Sequence, residues 1–184
     1  MSAGPVRAKL FIGLLASAED FLEKAKAEAV SRYGAIDLQS PAFLFDYTTY
    51  YNEEMGNRIL RQFVSFDNPF DPGELGRVKR ETIAIEKSLS VRDKRRANLD
   101  PGYVNLSSVV LATTKDASYR VYLGDSLYGQ PTLFYRKGEF LPFDWTYKDY
   151  REKESVSFFG EVRRRFKEQM RGQGLSPGRG EREE

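Results

Sequence analysis

Cysteine and histidine are both missing from the 184 residues of this chain. Their absence excludes a disulfide framework, a zinc-finger site, a cysteine nucleophile, a Ser-His-Asp triad and any imidazole acid or base. Chemistry performed here would rest on carboxylates, Lys, Arg, Tyr, Ser or Thr, backbone amides, or a hard cation held by oxygen ligands. Long apolar runs are missing too: LFIGLLA, near the N-terminus, is seven residues long and gives way to EDFLEKAKAE. That is too short to cross a bilayer and lacks a signal-peptide processing site, so a cytoplasmic protein with no membrane contact is expected. Excess charge is small, Lys+Arg 29 against Asp+Glu 27, so nucleic-acid binding can be argued only from local patches.

What is present is the make-up of a folded chain, 40% hydrophobic and 14% aromatic, which excludes wholesale disorder. The length suits one domain over 1–170. The remainder, 171–184, reads RGQGLSPGRGEREE and is expected to be a flexible tail with little to bury.

Periodicity predicts the elements. Lys9 to Ala16 reads as a buried strand. Ser17, with Asp20 three residues on, has the form of a helix cap, followed by an apolar stripe of Phe21, Leu22, Ala25, Ala29, Val30 and Tyr33 that ends near Gly34. Strands are predicted at Phe43–Tyr47 and Leu60–Phe66. Asp71-Pro72-Gly73-Glu74 opens a second helix whose inward face is Leu75, Val78, Thr82, Ile85 and Leu89. Asn98-Leu99-Asp100-Pro101-Gly102-Tyr103 reads as a turn, and Val109 to Ala112 suits either strand or helix. Strands follow at Tyr119–Leu123, with Val121 and Leu123 inward, and at Thr132–Tyr135. Lys137-Gly138 turns into Phe140-Leu141, and a last helix runs from about Tyr150 to Met170. Three main helices with six or seven strands imply an α+β or α/β fold: a single two-layer domain with a mixed, largely antiparallel sheet.

Neither the phosphate-binding loop ending in Gly-Lys-Ser/Thr nor a Gly-x-Gly-x-x-Gly fingerprint occurs. Thr113-Thr114-Lys115-Asp116 has only a superficial likeness to a guanine-reading loop. The sharpest charge signal is Arg77 to Arg96, where Arg77, Lys79, Arg80, Lys87, Arg92, Lys94, Arg95 and Arg96 face only Glu81, Glu86 and Asp93. Such a run either grips phosphates on RNA or a small molecule, or is a solvated helix surface. Arg163, Arg164 and Arg165 would extend it if the two helices lie side by side. The carboxylates Glu53, Glu54, Glu86, Asp100 and Asp116 have no spacing specific to a metal; a hydrated Mg²⁺ on two of them is the one cofactor the residues suggest. Tyr50, Tyr51, Tyr128 and Trp145 could wall a planar ligand or simply pack.

Several stretches taken together resemble a known family. They are Lys9 to Gly13, Thr49-Tyr50-Tyr51 with Glu54-Met55-Gly56, Arg61 before Phe63, and Arg96 with Asn98 to Tyr103. Further on come Leu111-Ala112-Thr113 with Lys115-Asp116, Arg120 to Leu123, Thr132-Leu133, and Thr146-Tyr147 with Asp149-Tyr150. The chain is similar, from Lys9 to Phe166, to a bacterial family classed as a domain of unknown function, whose members are sometimes labelled "GTP-binding protein". The resemblance brings no catalytic assignment, and it groups Glu54, Arg61, Arg96, Asn98, Asp100, Lys115 and Arg120 as residues to examine together.

Three functions are therefore carried forward. The leading one is a pocket for a phosphorylated small molecule such as a nucleotide, with possible phosphoester chemistry; Arg61, Arg96 and Arg120 would hold the anion, Lys115 would add charge, and Glu54 or Asp100 would orient a hydroxyl or Mg²⁺. The second is RNA association through Arg77, Lys79, Arg80, Lys87, Arg92, Lys94 and Arg95. The third is a non-catalytic assembly module, homo-oligomeric or bound to a partner through aromatics near Tyr50 or Trp145.

Overall fold

The computed structural model describes residues 7–172. Its central strand is β1 (Ala8–Ala16), buried at every position. Alternation sends Leu10, Ile12, Leu14 and Ala16 to one face of the sheet and Phe11, Gly13 and Leu15 to the other, so β1 feeds two cores at once.

Two crossovers surround it. From β1 the chain passes through α1 (Glu19–Tyr33) to β2 (Ile36–Gln39), then through β3 (Phe43–Phe45) and the short α2 (Asn52–Met55) to β4 (Ile59–Phe70), which pairs antiparallel to β1. A second helix, α3 (Leu75–Ser88), leads to β5 (Ala97–Val104), which pairs with the other edge of β1. β1 and β2 are thus parallel with β4 between them, and β4 and β5 are parallel with β1 between them. Two split β-α-β units of the same hand place both helices on the same face. There α1 and α3 bury Leu22, Ala25, Ala29, Leu75, Val78 and Ile85 against the even residues of β1.

The rest of the sheet is built from hairpins: β6 (Ser108–Thr113), β7 (Val121–Gly124), β8 (Leu127–Arg136) and β9 (Glu139–Pro142), giving the order β2-β4-β1-β5-β6-β8-β7 with β3 on β4 and β9 on β8. Pairing is antiparallel throughout these strands. After the single turn α4 (Lys148–Arg151), α5 (Lys153–Gly172) lies across the opposite face and packs Phe158, Phe159 and Val162 on Phe11, Phe63, Leu133 and Phe140. The two-layer α+β arrangement of sheet and helix pair is as expected, with three main helices, α5 backing the sheet from behind. Among the described residues no helix is long and apolar enough to cross a membrane.

Several expectations are corrected. Ser17 does not cap α1: its N–H donates to the Arg96 carbonyl at 2.9 Å, extending the β1–β5 ladder, and the N-cap position passes to Ala18. Val30 falls off the inward stripe and is 39% exposed. Asn98–Tyr103 is no turn but the body of β5, because β1 supplies a partner for each of its residues. Val121 and Leu123 do not enter the core, since β7 is the outermost strand and is exposed on both faces. The last helix is broken at Glu152, whose ψ of 144° is extended. Within the expected tail, Arg171 and Gly172 complete α5, and 173–184 lie outside the described residues.

Candidate functional site

β5 shares only three residue pairs with β6, Gly102↔Leu111 to Val104↔Val109. Beyond them β6 continues on β8 through Thr113, whereas Ala97 to Pro101 stay on β1. The sheet parts along this seam and encloses a cleft of about 640 Å³. Parting a sheet strands backbone groups, and a buried amide or carbonyl without a partner is costly. Pro101, the first residue past the shared pairs, has no amide to strand. At Leu99 the N–H donates to Glu86 Oε1 at 2.7 Å and the carbonyl accepts from Lys79 Nζ at 3.1 Å. Lys79 and Glu86, two helical turns apart on α3 and both buried, thus stand in for the missing strand.

Arg61 occupies the inner end of the cleft. On β4 it lies opposite Leu15, and its neighbour on β1 is Gly13, itself opposite Asp100 on β5. Without a Gly13 side chain the guanidinium can cross β1, and a Cβ there would sit 3.1 Å from Nη1 and 2.9 Å from the Tyr150 hydroxyl. Nε and Nη2 both donate to Asp149 Oδ2, at 2.8 and 2.5 Å, and Nη1 lies 3.8 Å from Asp100 Oδ2. The cation sits 4.8 Å from the Phe63 ring centroid and 5.4 Å from that of Tyr150. Burial pushes its pKa down, but the Asp149 carboxylate, helped by Tyr150 and Asp100, overcomes this and holds it above the ordinary value. Burial in turn pushes the Tyr150 hydroxyl well above the usual phenol range.

The mouth is aromatic and cationic. Lys115 Nζ lies 4.3 Å above the Tyr50 ring, Tyr50 meets Tyr51 edge-on, and Arg95 lies over Tyr51. Arg120 braces the rim, donating to the Lys115 carbonyl at 2.5 Å, Gln130 Oε1 at 2.8 Å and the Tyr147 hydroxyl at 3.1 Å. Burial, ahead of the opposing pull of Arg120, pushes the Tyr147 pKa up.

Of the seven grouped residues, Arg61, Asn98, Asp100 and Lys115 line the cleft. Glu54 joins at its edge through Arg95, whose Nε donates to Oε2 at 2.8 Å while Nη1 donates to Asn98 Oδ1 at 2.9 Å. Arg120 joins as the brace just described. Arg96 is not among the lining residues; its carbonyl is spent on Ser17. The expected role of Arg61 as anion clamp is altered by geometry, because two of its donating nitrogens already hold Asp149. Tyr50, Tyr51 and Trp145 line the cleft and Tyr128 does not; Trp145 is also packed, stacked between Phe143 and Tyr119 with Nε1 donating to the Pro131 carbonyl.

The basic run does not form one face. Lys79 and Arg95 turn to the cleft, Arg77 pairs with Glu74 and Glu81, Arg80 pairs with Asp125, and Arg92 and Lys94 lie in the turn after α3. Lys87 remains exposed on the helix. Arg163 to Arg165 cannot extend it, because α5 lies on the opposite side of the sheet: Arg163 stacks on Tyr135, Arg164 pairs with Glu161 and Glu168, and Arg165 pairs with Glu161. Among the described residues, no three acids gather as a metal site.

Sequence reasoning named Asp149 and Tyr150 only as carriers of the resemblance, and Lys79 and Glu86 only as separate charge candidates; it missed Gln130 and the Lys79–Glu86 device. Lys79 and Glu86 each follow an apolar position, Val78 and Ile85, so a helical projection already puts both on the border of the buried stripe. Gln130 gave no signal beyond lying next to a strand proline. The Glu86 carboxyl is raised above its ordinary pKa by burial, against the pull of Lys79 and the Leu99 amide. An acid raised in the folded state holds its proton there longer than in the unfolded chain, so stability falls as pH climbs from the ordinary carboxylate range through the raised value. Relative to wild type, Glu86→Gln should therefore gain stability across urea titrations stepped from about pH 4 to 8. A difference that is flat or of the opposite slope would contradict this account.

No curated protein and no solved structure matches the chain. A family model described as "Domain of unknown function (DUF4416)" matches residues 6–166, a span that contains every strand from β1 to β9 and all the residues of the cleft. The chain belongs to the DUF4416 family, an uncharacterised bacterial domain.

Proposed function

We propose that the cleft binds a small phosphorylated ligand of the nucleotide class. The observation that carries the reading is convergence: four of the seven grouped residues line one cavity, and two more are bonded to its lining. Its volume lies in the range of small-molecule sites, and its walls combine aromatic rings with a few placed polar groups. The balance of charge favours the mouth as the seat of the phosphate. Arg61 is matched by Asp149, and Lys79 by Asp100 and Glu86, whereas Lys115 at the mouth has no carboxylate partner among the described residues and rests on Tyr50. Lys115, with Lys148 also in the lining, is the available anchor for a phosphate, and Tyr50 offers a ring face next to it. Whether turnover follows binding is a separate question, which an activity screen on the bound ligand would answer.

The test is calorimetric titration with nucleoside monophosphates, ribose phosphate and inorganic phosphate. Binding by a phosphorylated compound, reduced roughly tenfold in Lys115→Ala as expected for one lost charge-assisted hydrogen bond, supports the reading. Failure of all of them to bind at millimolar concentration, or binding indifferent to Lys115→Ala, overturns it.

A further inference from the structure

The inner end of the cleft differs chemically from its mouth. Three buried polar atoms of lining residues have no hydrogen-bond partner within the protein: Arg61 Nη1, Gln130 Nε2 and Tyr150 Oη. Their residues are 3%, 1% and 1% exposed. Buried donors are nearly always paired in a folded protein, so Arg61 Nη1 and Tyr150 Oη, open side by side, mark a place where an acceptor belongs, while Gln130 Nε2 is open nearer the rim held by Arg120. Each is fixed in direction by its neighbours. Nε and Nη2 of Arg61 are held by Asp149, which leaves only Nη1 to turn elsewhere. Gln130 Oε1 is taken by Arg120 Nε, so the opposite side of the amide presents N–H. The Tyr150 hydroxyl and Arg61 Nη1 stand side by side over the bare Cα of Gly13.

Although these groups donate, the surroundings are unsuited to a phosphate. Asp149 lies 2.5 Å from the guanidinium and Asp100 lies 3.8 Å from its free nitrogen. A dianion accepting from Nη1 would sit within a few ångströms of both carboxylates, where unit like charges repel by about 4 kcal/mol at an intermediate dielectric. An uncharged oxygen meets the same donors without that repulsion.

We propose that the inner end of the cleft binds an uncharged carbonyl on the ring of the ligand, through Arg61 Nη1 and Tyr150 Oη, so that the ligand enters ring first and leaves its phosphate at Lys115. This deepens the nucleotide reading and rests on it for the identity of the outer end. The substrate class becomes a nucleotide whose base carries a carbonyl, and analogues without that oxygen are rejected because they leave Arg61 Nη1 and Tyr150 Oη buried and unpaired.

The experiment compares inosine monophosphate with purine riboside monophosphate, which lacks the base carbonyl, and both with their nucleosides and with ribose phosphate, on wild type, Tyr150→Phe and Lys115→Ala. Tyr150→Phe removes only an unbonded hydroxyl and keeps the ring, so its fold is checked by an unchanged thermal midpoint. The expected result is a preference for inosine over purine riboside of at least about tenfold, present in nucleosides as well as nucleotides. It should shrink several-fold in Tyr150→Phe, with ribose phosphate affinity unaltered, and persist in Lys115→Ala. Equal binding of the two bases, or a preference untouched by Tyr150→Phe, overturns the proposal while leaving phosphate binding standing. Carbonyl-dependent binding of nucleosides with no gain from phosphate supports the inner site and overturns the outer one; absence of binding by every compound overturns both.

Discussion

Asp149→Ala is expected to lower the stability of the protein by about 3–5 kcal/mol, the usual consequence of removing one partner of a buried ion pair. Asp149 and Arg61 are each only 3% exposed, and the carboxylate takes two hydrogen bonds from the guanidinium. With it gone, Arg61 stays charged, because a guanidinium does not lose its proton in a protein, and the ion pair left to it among the described residues is the looser one with Asp100 at 3.8 Å. Urea unfolding of the wild type and the variant measures the loss. Arg61→Met combined with Asp149→Leu should recover most of it, since replacing a buried pair with apolar volume is often neutral. A loss below about 1 kcal/mol in the single variant would place the pair in the range of solvent-exposed bridges and remove the argument for a water-poor inner end.

Gly102→Ala should be the second most damaging small change. An added Cβ would lie 2.4 Å from the Val110 carbonyl oxygen and 2.6 Å from two ring carbons of Phe11. Neither neighbour can yield freely: the oxygen belongs to the backbone of β6, and Phe11 is fully buried, edge-on to Phe159. Overpacking of this kind typically costs about 1–3 kcal/mol. Thermal and urea unfolding provide the measure, and Phe11→Leu in the same chain should restore only part of the loss, because the backbone contact remains. Wild-type stability in Gly102→Ala would show that β5 and β6 approach less closely than described.

How far the sequence could be read depended on whether a signal was local. The faces of α1 and α3, the strand at Ala8–Ala16 and the Lys137-Gly138 hairpin follow from periodicity and turn chemistry within a dozen residues. Both turn residues have positive φ, 51° and 92°, as such a turn requires. Asn98–Tyr103 was misread because Pro-Gly is a local turn signal. Only β1, some ninety residues upstream, supplies the ladder that makes it a strand. The Gly102 side chain is absent for packing against Phe11, which no local rule registers. The candidate site was half legible. Arg61, Asn98, Asp100 and Lys115 share a cleft because β1, β4, β5 and β6 are neighbours in the sheet, and their grouping came from resemblance, not from spacing. Asp149, Gln130 and Tyr150 escaped as site residues because a buried acid, amide or phenol is recognisable only by what it faces.

The seam between β5 and β6 also has a mechanical meaning. The sheet consists of two panels, β2-β4-β1-β5 and β6-β8-β7, joined by three rungs. Behind the joint α5 presses on Phe11 and Phe63 of one panel and on Leu133 and Phe140 of the other, while in front the cleft is unsealed. Each panel has its own ladder of hydrogen bonds, so a small rotation about those rungs would change the mouth before it parted the core behind it. The seam that opens the cleft is thus also the joint between two separately bonded halves of one sheet.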